Sequence, residues 1–511
     1  MGGLNITMRR LMIVGLLAFA VALSQTAYAE VQNIKVSGDI DLKAISHVNY
    51  DLQNKQMNDP GTVNGGAALD GVTNDDNENN LISTVRVRID ADLTDNVSTT
   101  VRFLNQRKWD VQAAAFDNIN IDNAYITLRE FLYSPLTVVA GRQDLNYGTG
   151  FIVGSLGRLA DPEGVFADDT TTGHTGTQTI GREYSAYNSF DAIRLILDFS
   201  PLTVEGLVSK NNETGILDND ENLYGAVVNY KLDQWNAEIE PYWFFLDDES
   251  GARTVTVNDS VVSGNTARAY EVNRVHTVGL RLAGSPIENL KLSGEGAHQF
   301  GELIDTGSAA SLASADVQER DREAWGAPVK VDYAWVQVHW TPATGVGWVF
   351  FSGEEPASGG SSAGAGNSNQ KDDFNAWDSI YRGSFTTYIE DFLTGQDAPA
   401  GFYQTLDRND TASSTNRHHF FGDVSAKPLQ DLTLWARYTH SRFDEAPRPG
   451  RDKHAGDEVD VKALYDYTED VQFATWGGVF FPGDYYDGEA ETSFRGSDLA
   501  WTAGAGASVK F

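Results

Sequence analysis

Apolar and polar residues alternate one by one through long stretches of this chain. In 188–199, Ile193, Leu195, Leu197 and Phe199 share one face, with Arg194 and Asp198 opposite. In 234–246, Trp235, Ala237, Ile239, Trp243 and Phe245 oppose Asn236, Glu238 and Glu240. The final stretch sets Leu499, Trp501, Ala503, Ala505, Ala507, Val509 and Phe511 against Ala500, Thr502, Gly504, Gly506, Ser508 and Lys510. A period of two predicts β-strands. Read between turn residues, the pattern predicts an all-β chain of about eighteen strands, at 33–50, 80–94, 97–110, 121–131, 135–146, 188–199, 201–210, 222–232, 234–246, 272–284, 288–301, 328–341, 345–353, 416–427, 430–443, 456–468, 470–481 and 497–511.

Connections between these strands alternate strictly between short and long. The short ones include Thr94-Asp95-Asn96, Ser134-Pro135, Ser200-Pro201, Ser285-Pro286-Ile287 and Thr341-Pro342-Ala343-Thr344, where proline presets a turn and cannot donate to a ladder. The long ones, such as 51–79, 147–187, 302–327 and 354–415, are rich in Gly, Asn, Ser, Asp and Thr. Short turns on one side and long polar loops on the other is the layout of a transmembrane antiparallel β-barrel, with short periplasmic turns and long extracellular loops. The apolar face then looks at lipid and the polar face into a wet lumen. Phe199, Tyr230, Trp235, Trp340 and Tyr467 fall near the short-turn ends, and Tyr50, Trp243, Phe245, Phe481 and Trp501 near the long-loop ends, as two interfacial belts require.

The start of the chain reads as secretory. Met8-Arg9-Arg10 is basic, Leu11 to Leu23 is apolar, and Ala27-Tyr28-Ala29 precedes Glu30 as a small-residue cleavage site, so residues 1–29 are expected to be a removed signal peptide and 30–511 the barrel. An apolar core this short falls below the roughly 20 residues a spanning helix needs. The chain contains no cysteine, which excludes thiol catalysis, thiolate metal sites and disulfides; closing a sheet on itself satisfies every backbone group without them. Formal charge is −34, near −36 once Arg9 and Arg10 are removed. That excludes nucleic acid as an expected partner and leaves outer-membrane lipid and lipopolysaccharide as surroundings.

An alternating tail closed by Phe511 resembles the last strand of bacterial outer-membrane barrels, the end recognised by the barrel-assembly machinery. Three further segments resemble the alginate-export family: Ala140-Gly141-Arg142-Gln143-Asp144-Leu145-Asn146-Tyr147-Gly148; Val275-His276-Thr277-Val278-Gly279-Leu280-Arg281-Leu282, running on to Ala297-His298-Gln299-Phe300-Gly301; and Gly456-Asp457-Glu458-Val459-Asp460, continuing to Gly477-Gly478-Val479-Phe480-Phe481-Pro482-Gly483-Asp484. The resemblance implies a monomeric eighteen-stranded barrel in the outer membrane and, for its characterised members, passage of an anionic polysaccharide through an arginine-lined pore. The expected function is therefore a porin-like channel for passage or export of polar or anionic solutes, including polysaccharide such as alginate. A barrel that sheathes or docks a secretion or electron-transfer component is the alternative.

Assigned by parity, the lumen bases are Lys35, Arg86, Arg88, Arg102, Arg129, Arg194, Arg281, Arg437, Lys462 and Lys510, and the lumen acids of the mid-barrel are Glu205, Glu238, Glu240 and Glu295. Two readings stay open. Either a basic wall faces an acidic wall across the channel, or the charges pair between neighbouring strands and hold the barrel's shape. Arg142 has no assigned face, because Gly141 permits a bulge. The loop 354–415, with ten acids and three bases, either folds inward as a constriction or stays on the surface. No catalytic trio, cofactor motif or metal-ligand spacing is expected: His418 and His419 are adjacent and point to opposite faces, and the acidic runs at Asp75, Asp76 and Glu78 and at Asp218, Asp220 and Glu221 lack a calcium-loop pattern.

Overall fold

A computed structural model describes residues 32–50, 52, 77–109, 119–154, 189–212, 220–249, 253–255, 267–269, 272–305, 318–354, 373–393, 415–446, 452–486 and 499–511. Its strands are β1 (Asn33–Val48), β2 (Asn77–Thr94), β3 (Val97–Lys108), β4 (Asn120–Leu128), β5 (Leu136–Gln143), β6 (Phe190–Asp198), β7 (Leu202–Asn212), β8 (Glu221–Leu232), β9 (Ala237–Asp248), β10 (Arg253–Val255), β11 (Ala267–Ala269), β12 (Val272–Ile287), β13 (Leu290–Asp305), β14 (Gln318–Ala334), β15 (Ala343–Phe351), β16 (Arg417–Leu429), β17 (Leu432–Arg442), β18 (His454–Asp466), β19 (Val471–Pro482) and β20 (Ala500–Lys510). Eighteen form one antiparallel sheet, and β10 with β11 forms a separate two-stranded hairpin in the loop between β9 and β12.

Each barrel strand pairs with its chain neighbours, and β20 pairs with β1 from Lys510 opposite Asp39 to Trp501 opposite Val48, which closes the cylinder. Phe511 completes the seam by exchanging two backbone hydrogen bonds with Gly38, 2.8 and 2.9 Å. Closure leaves no edge, so every strand's backbone groups are satisfied within the ladder, as a hydrocarbon surround requires. No described helix is long and apolar enough to cross a membrane.

Alternation places the faces as expected. Ile34, Val36, Ile40 and Leu42 of β1, Ile193 and Leu195 of β6, Leu280 and Leu282 of β12, and Val459 and Val461 of β18 are exposed on the outside of the cylinder. Such a continuous apolar exterior is stable only against lipid. Phe199, Tyr230, Trp235, Trp340 and Tyr467 are exposed at the short-turn end, and Phe481 and Trp501 at the other.

Three local expectations need correction. Tyr50 is buried inside: its ring stacks on His47 at 4.1 Å and its hydroxyl donates to the Tyr388 carbonyl at 3.1 Å. Arg129 lies beyond the end of β4 in an exposed turn, because the chain bends at residues 129–135 instead of continuing the strand. The strand expected at 328–341 runs instead over 318–334, and 335–342 forms the turn. Its first half, Gln318 to Glu323, is charged at nearly every position and so lacks the apolar/polar alternation.

The lumen is not uniformly wet. Its extracellular half is filled by two inward-folded stretches of loop, 144–154 after β5 and 373–393 between β15 and β16, around which two buried apolar clusters form. One joins Phe151, Ile152, Val153, Trp377 and Ile380 to Leu207, Leu223, Phe244, Leu246, Val275 and Phe351 of the inner wall. The other joins Phe385, Tyr388, Ile389 and Phe392 to Ile45, Ile82, Trp476 and Phe480. The expected leader and most of the remaining loop residues lie outside the described ones.

Candidate functional site

The lumen has two storeys. Above, the stretch 373–393 runs along one side of the inner wall. Near β12, β13 and β14, the Asp378 carboxylate accepts from Asn273 at 2.7 Å, Gln299 brackets the Asp378 backbone at 2.6 and 2.8 Å, and Arg322 donates to the Ala376 carbonyl at 2.8 Å. Further on, Arg437 of β17 donates to the Thr386 carbonyl at 2.9 Å, and Arg417 of β16 to Glu390 at 2.9 Å. Glu458 of β18 accepts three consecutive backbone N–H groups, from Tyr388, Ile389 and Glu390, at 2.7, 2.8 and 2.9 Å. One carboxylate thus satisfies the tight 3-10 turn at Glu390–Phe392, whose amides would otherwise be buried without acceptors.

The stretch 144–154 covers the opposite arc. Asp144 accepts both guanidinium nitrogens of Arg102 at 2.9 Å. The Tyr147 hydroxyl donates to Glu205, which Arg194 also holds at 2.6 and 2.9 Å. Burial, and then the Glu205 charge, push the Tyr147 phenol far above its ordinary value, so it stays a neutral donor. Gly148 turns with φ +58° directly over Arg281, Glu240 and Glu295, and Thr149 donates to Glu295 at 3.2 Å. The two stretches meet in a parallel bridge between Val153 and Tyr381. At the crossing Gly154 and Gly383 touch, and a Cβ on Gly383 would stand 2.6 Å from the Gly154 backbone. Only a pair of glycines permits this approach.

Below the crossing, a cavity of about 930 Å³ opens toward the periplasmic end, lined by residues that include Asp39, Asp41, Arg86, Arg88, Lys462 and Lys510. Of the expected lumen bases, Arg86, Arg88, Arg102, Lys462 and Lys510 line this cavity. Arg86 pairs with Asp39 at 2.9 Å and Asp41 at 3.7 Å, and Arg88 with Asp90 at 2.8 Å. Arg102 pairs with Asp122 and Asp144, and Lys35 sits at the exposed mouth opposite Asp90 in the register.

Of the two readings left open for these charges, the distances match pairing between neighbouring strands. Arg194 and Glu205 are a single pair across β6 and β7. Arg281 reaches Glu238 at 2.6 Å and Glu240 at 3.8 Å across β12 and β9, and Arg437 reaches Asp423 at 3.2 Å. A half-buried charge away from water is stable only beside its opposite, so each guanidinium takes the nearest carboxylate. Arg142 is resolved as well: the ladders on both sides of β5 run past Gly141 (φ +124°) with no shift in register, so Arg142 keeps the parity of Val138 and Ala140 and pairs with Asp191 at 2.7 Å on the outer face of β5 and β6, which carries Ile193 and Leu195.

Sequence reasoning missed Asp122, Asp144, Tyr147, Glu390 and Arg417. A signal for the filled storey was present. In Pro241-Tyr242-Trp243-Phe244-Phe245-Leu246 and in Val479-Phe480-Phe481, both faces of a strand are apolar at the long-loop end, and a strand apolar on both faces is covered on both.

A closed barrel with an apolar exterior, two aromatic rims and a charged vestibule is an outer-membrane channel. The alginate export family model matches residues 67–496, and the chain belongs to that family. Its place is the bacterial outer membrane. No curated protein matches the chain. Among solved structures it is similar to OccK11 (OpdR) of Pseudomonas aeruginosa, at 10% identity over 94% of this chain and 96% of that one with a TM-score of 0.49. It is also similar to a BenF-like porin from Pseudomonas fluorescens Pf-5, at 9% identity, 94% and 99% coverage and TM-score 0.49. A third is OccK2 (OpdF) of Pseudomonas aeruginosa in complex with glucuronate, at 12% identity, 94% and 98% coverage and TM-score 0.48.

Proposed function

We propose that this channel passes anionic saccharides of the uronate class, alginate included, and that the periplasmic vestibule selects them. One observation carries the reading. Among the described residues, Lys462 and Lys510 face the vestibule with no ion-paired carboxylate, whereas the arginines around them are neutralised. Lys462 lies 5.0 Å from the Trp435 ring, which offers a sugar face a stacking surface beside a cation. Alternating charges and hydroxyls elsewhere in the wall suit a solute carrying both carboxylate and hydroxyl groups. Lys35, Arg86, Arg88, Arg102, Arg194, Arg281 and Arg437 act in this scheme by holding the wall's shape and its balance of charge, as do Glu205, Glu238, Glu240 and Glu295; the solute crosses without chemistry. The working form is a monomer from which residues 1–29 have been removed, assembled through the end that carries Phe511.

Planar-bilayer recordings test this. In a salt gradient the wild-type reversal potential should favour anions relative to Lys462→Ser/Lys510→Ser, and added oligouronate should interrupt the wild-type current more than the variant's. Equal reversal potentials together with equal block would reject the vestibule as the selective element.

A further inference from the structure

We infer that His440, His454 and Asp457 form a binding site for a zinc-class divalent ion on the outer surface of the barrel, at the foot of the loop between β17 and β18. One donor atom from each of the three residues can be chosen so that all lie within 4.8 Å of one another. His440 Nδ1 is 2.9 Å from one Asp457 oxygen and His454 Nε2 is 3.2 Å from the other, while the two rings stack at 5.0 Å. Zinc bonds of roughly 2.0–2.1 Å to nitrogen and oxygen give ligand separations of about this size around a tetrahedron. Two imidazoles and one carboxylate leave a fourth position for water, and two nitrogen donors disfavour calcium and magnesium.

Strand geometry alone would not build this set. His454 and Asp457 are three apart and would point to opposite faces of a regular strand. The register between β17 and β18 shifts between Ser441 and Arg442, and Gly456 takes φ +153° beside the shift. That bulge turns His454 onto the face of Asp457, which is itself opposite His440 in the ladder. A side chain on Gly456 would meet Phe480 at 2.5 Å, so the bulge is fixed by packing.

The surroundings hold the ligands in place. Tyr438 donates to Asp457 at 2.6 Å, orienting the carboxylate as an outer hydrogen bond does in metal sites. The His454 carbonyl accepts from the Tyr485 amide at 3.1 Å, and its backbone N–H donates to Asp452 at 2.7 Å. An ion here would clamp the two ends of the loop that begins at Phe443, whose buried ring carries Arg417 at 3.8 Å over the inserted stretch below. Sequence spacing hid the site, because His440 and Asp457 are seventeen positions apart and meet only through the ladder.

The test is calorimetric titration of zinc chloride into the untagged, chelator-stripped barrel in detergent. One ion per barrel should bind, and millimolar calcium or magnesium should not displace it. His440→Ala with His454→Ala should weaken binding by about a hundredfold or more, since even outer hydrogen bonds are worth about 10–100-fold in affinity. Asp457→Asn, which keeps the side chain's shape, serves as a second variant, and heat-modifiable migration on gels verifies that each variant is folded. Absence of stoichiometric zinc binding by the wild type, or unchanged affinity in a folded variant, would overturn the site.

Discussion

The two storeys of this lumen use the same wall in opposite ways. In the periplasmic half the inward positions are charged, and the space between them stays open, because arginines such as Arg86 and Arg88 are matched to carboxylates of the wall itself. In the extracellular half the inward positions are Leu207, Leu223, Phe244, Val275 and Phe351, and the chain fills the space with Phe151, Trp377 and Ile380 from its own loops. An apolar inner wall would otherwise face water, at about 25 cal/mol for each Å² exposed. The contrast teaches that a barrel's inner wall determines, storey by storey, whether solvent or polypeptide occupies it.

Trp377→Ala should break the contrast most strongly. Trp377 is buried, stacked on Phe151 at 5.4 Å and packed near Phe351, so truncation is expected to cost about 3–5 kcal/mol of the inserted packing. Proteolysis within 373–393 would report it, while the barrel's heat-modifiable migration stays unchanged. Glu458→Ala should follow, at about 3 kcal/mol, because it strands three buried amides. Hydrogen exchange at Tyr388, Ile389 and Glu390 is the readout; unaltered protection would show that the carboxylate is not the anchor. Beside the inserted stretch 144–154, Arg194→Ser leaves Glu205 uncompensated next to Tyr147, so the reversal potential should move toward cations, by less than in the lysine double variant because Arg194 is already neutralised by Glu205.

The smallest effect concerns pH at the extracellular rim. Burial opposes ionisation of Asp444, but the hydrogen bonds from His418 and the Gly353 amide outweigh it and hold the carboxyl below its ordinary value. His418 can donate because its other ring nitrogen accepts from Trp348 at 3.3 Å. A depressed pKa means the anchoring is fully present above the unfolded value of about 3.9 and is lost as pH falls through the lower folded value. Protection of the Gly353 amide should therefore be constant from neutral pH down to about 5 and decline only below about 4.

Most of the barrel was legible in the sequence, because lipid outside and ladder closure leave period two as the only solution for a spanning strand. β1, β6, β9 and β20 follow from alternation alone, and the short turns from proline and small polar residues. Legibility ended where a strand leaves the membrane. The first half of β14, Gln318 to Glu323, is charged at nearly every position, with Arg320 and Arg322 buried and Asp321 and Glu323 exposed, and so reads as loop. It also ended where partners are distant in sequence: Glu458 reaches residues about seventy positions away, and Asp144 reaches Arg102 across 42. The parity of Arg194, Glu205, Arg281, Glu238 and Glu240 was readable, whereas their pairing depends on cross-strand register, which a single residue's slip would reverse.

The chain's own loops narrow a channel whose lower half is open. Single-channel conductance compares the wild type directly with a variant in which 373–393 is replaced by a short Gly-Ser linker. Unitary currents should be small for the wild type and several-fold larger for the variant. Identical conductance in two correctly folded barrels would contradict that narrowing.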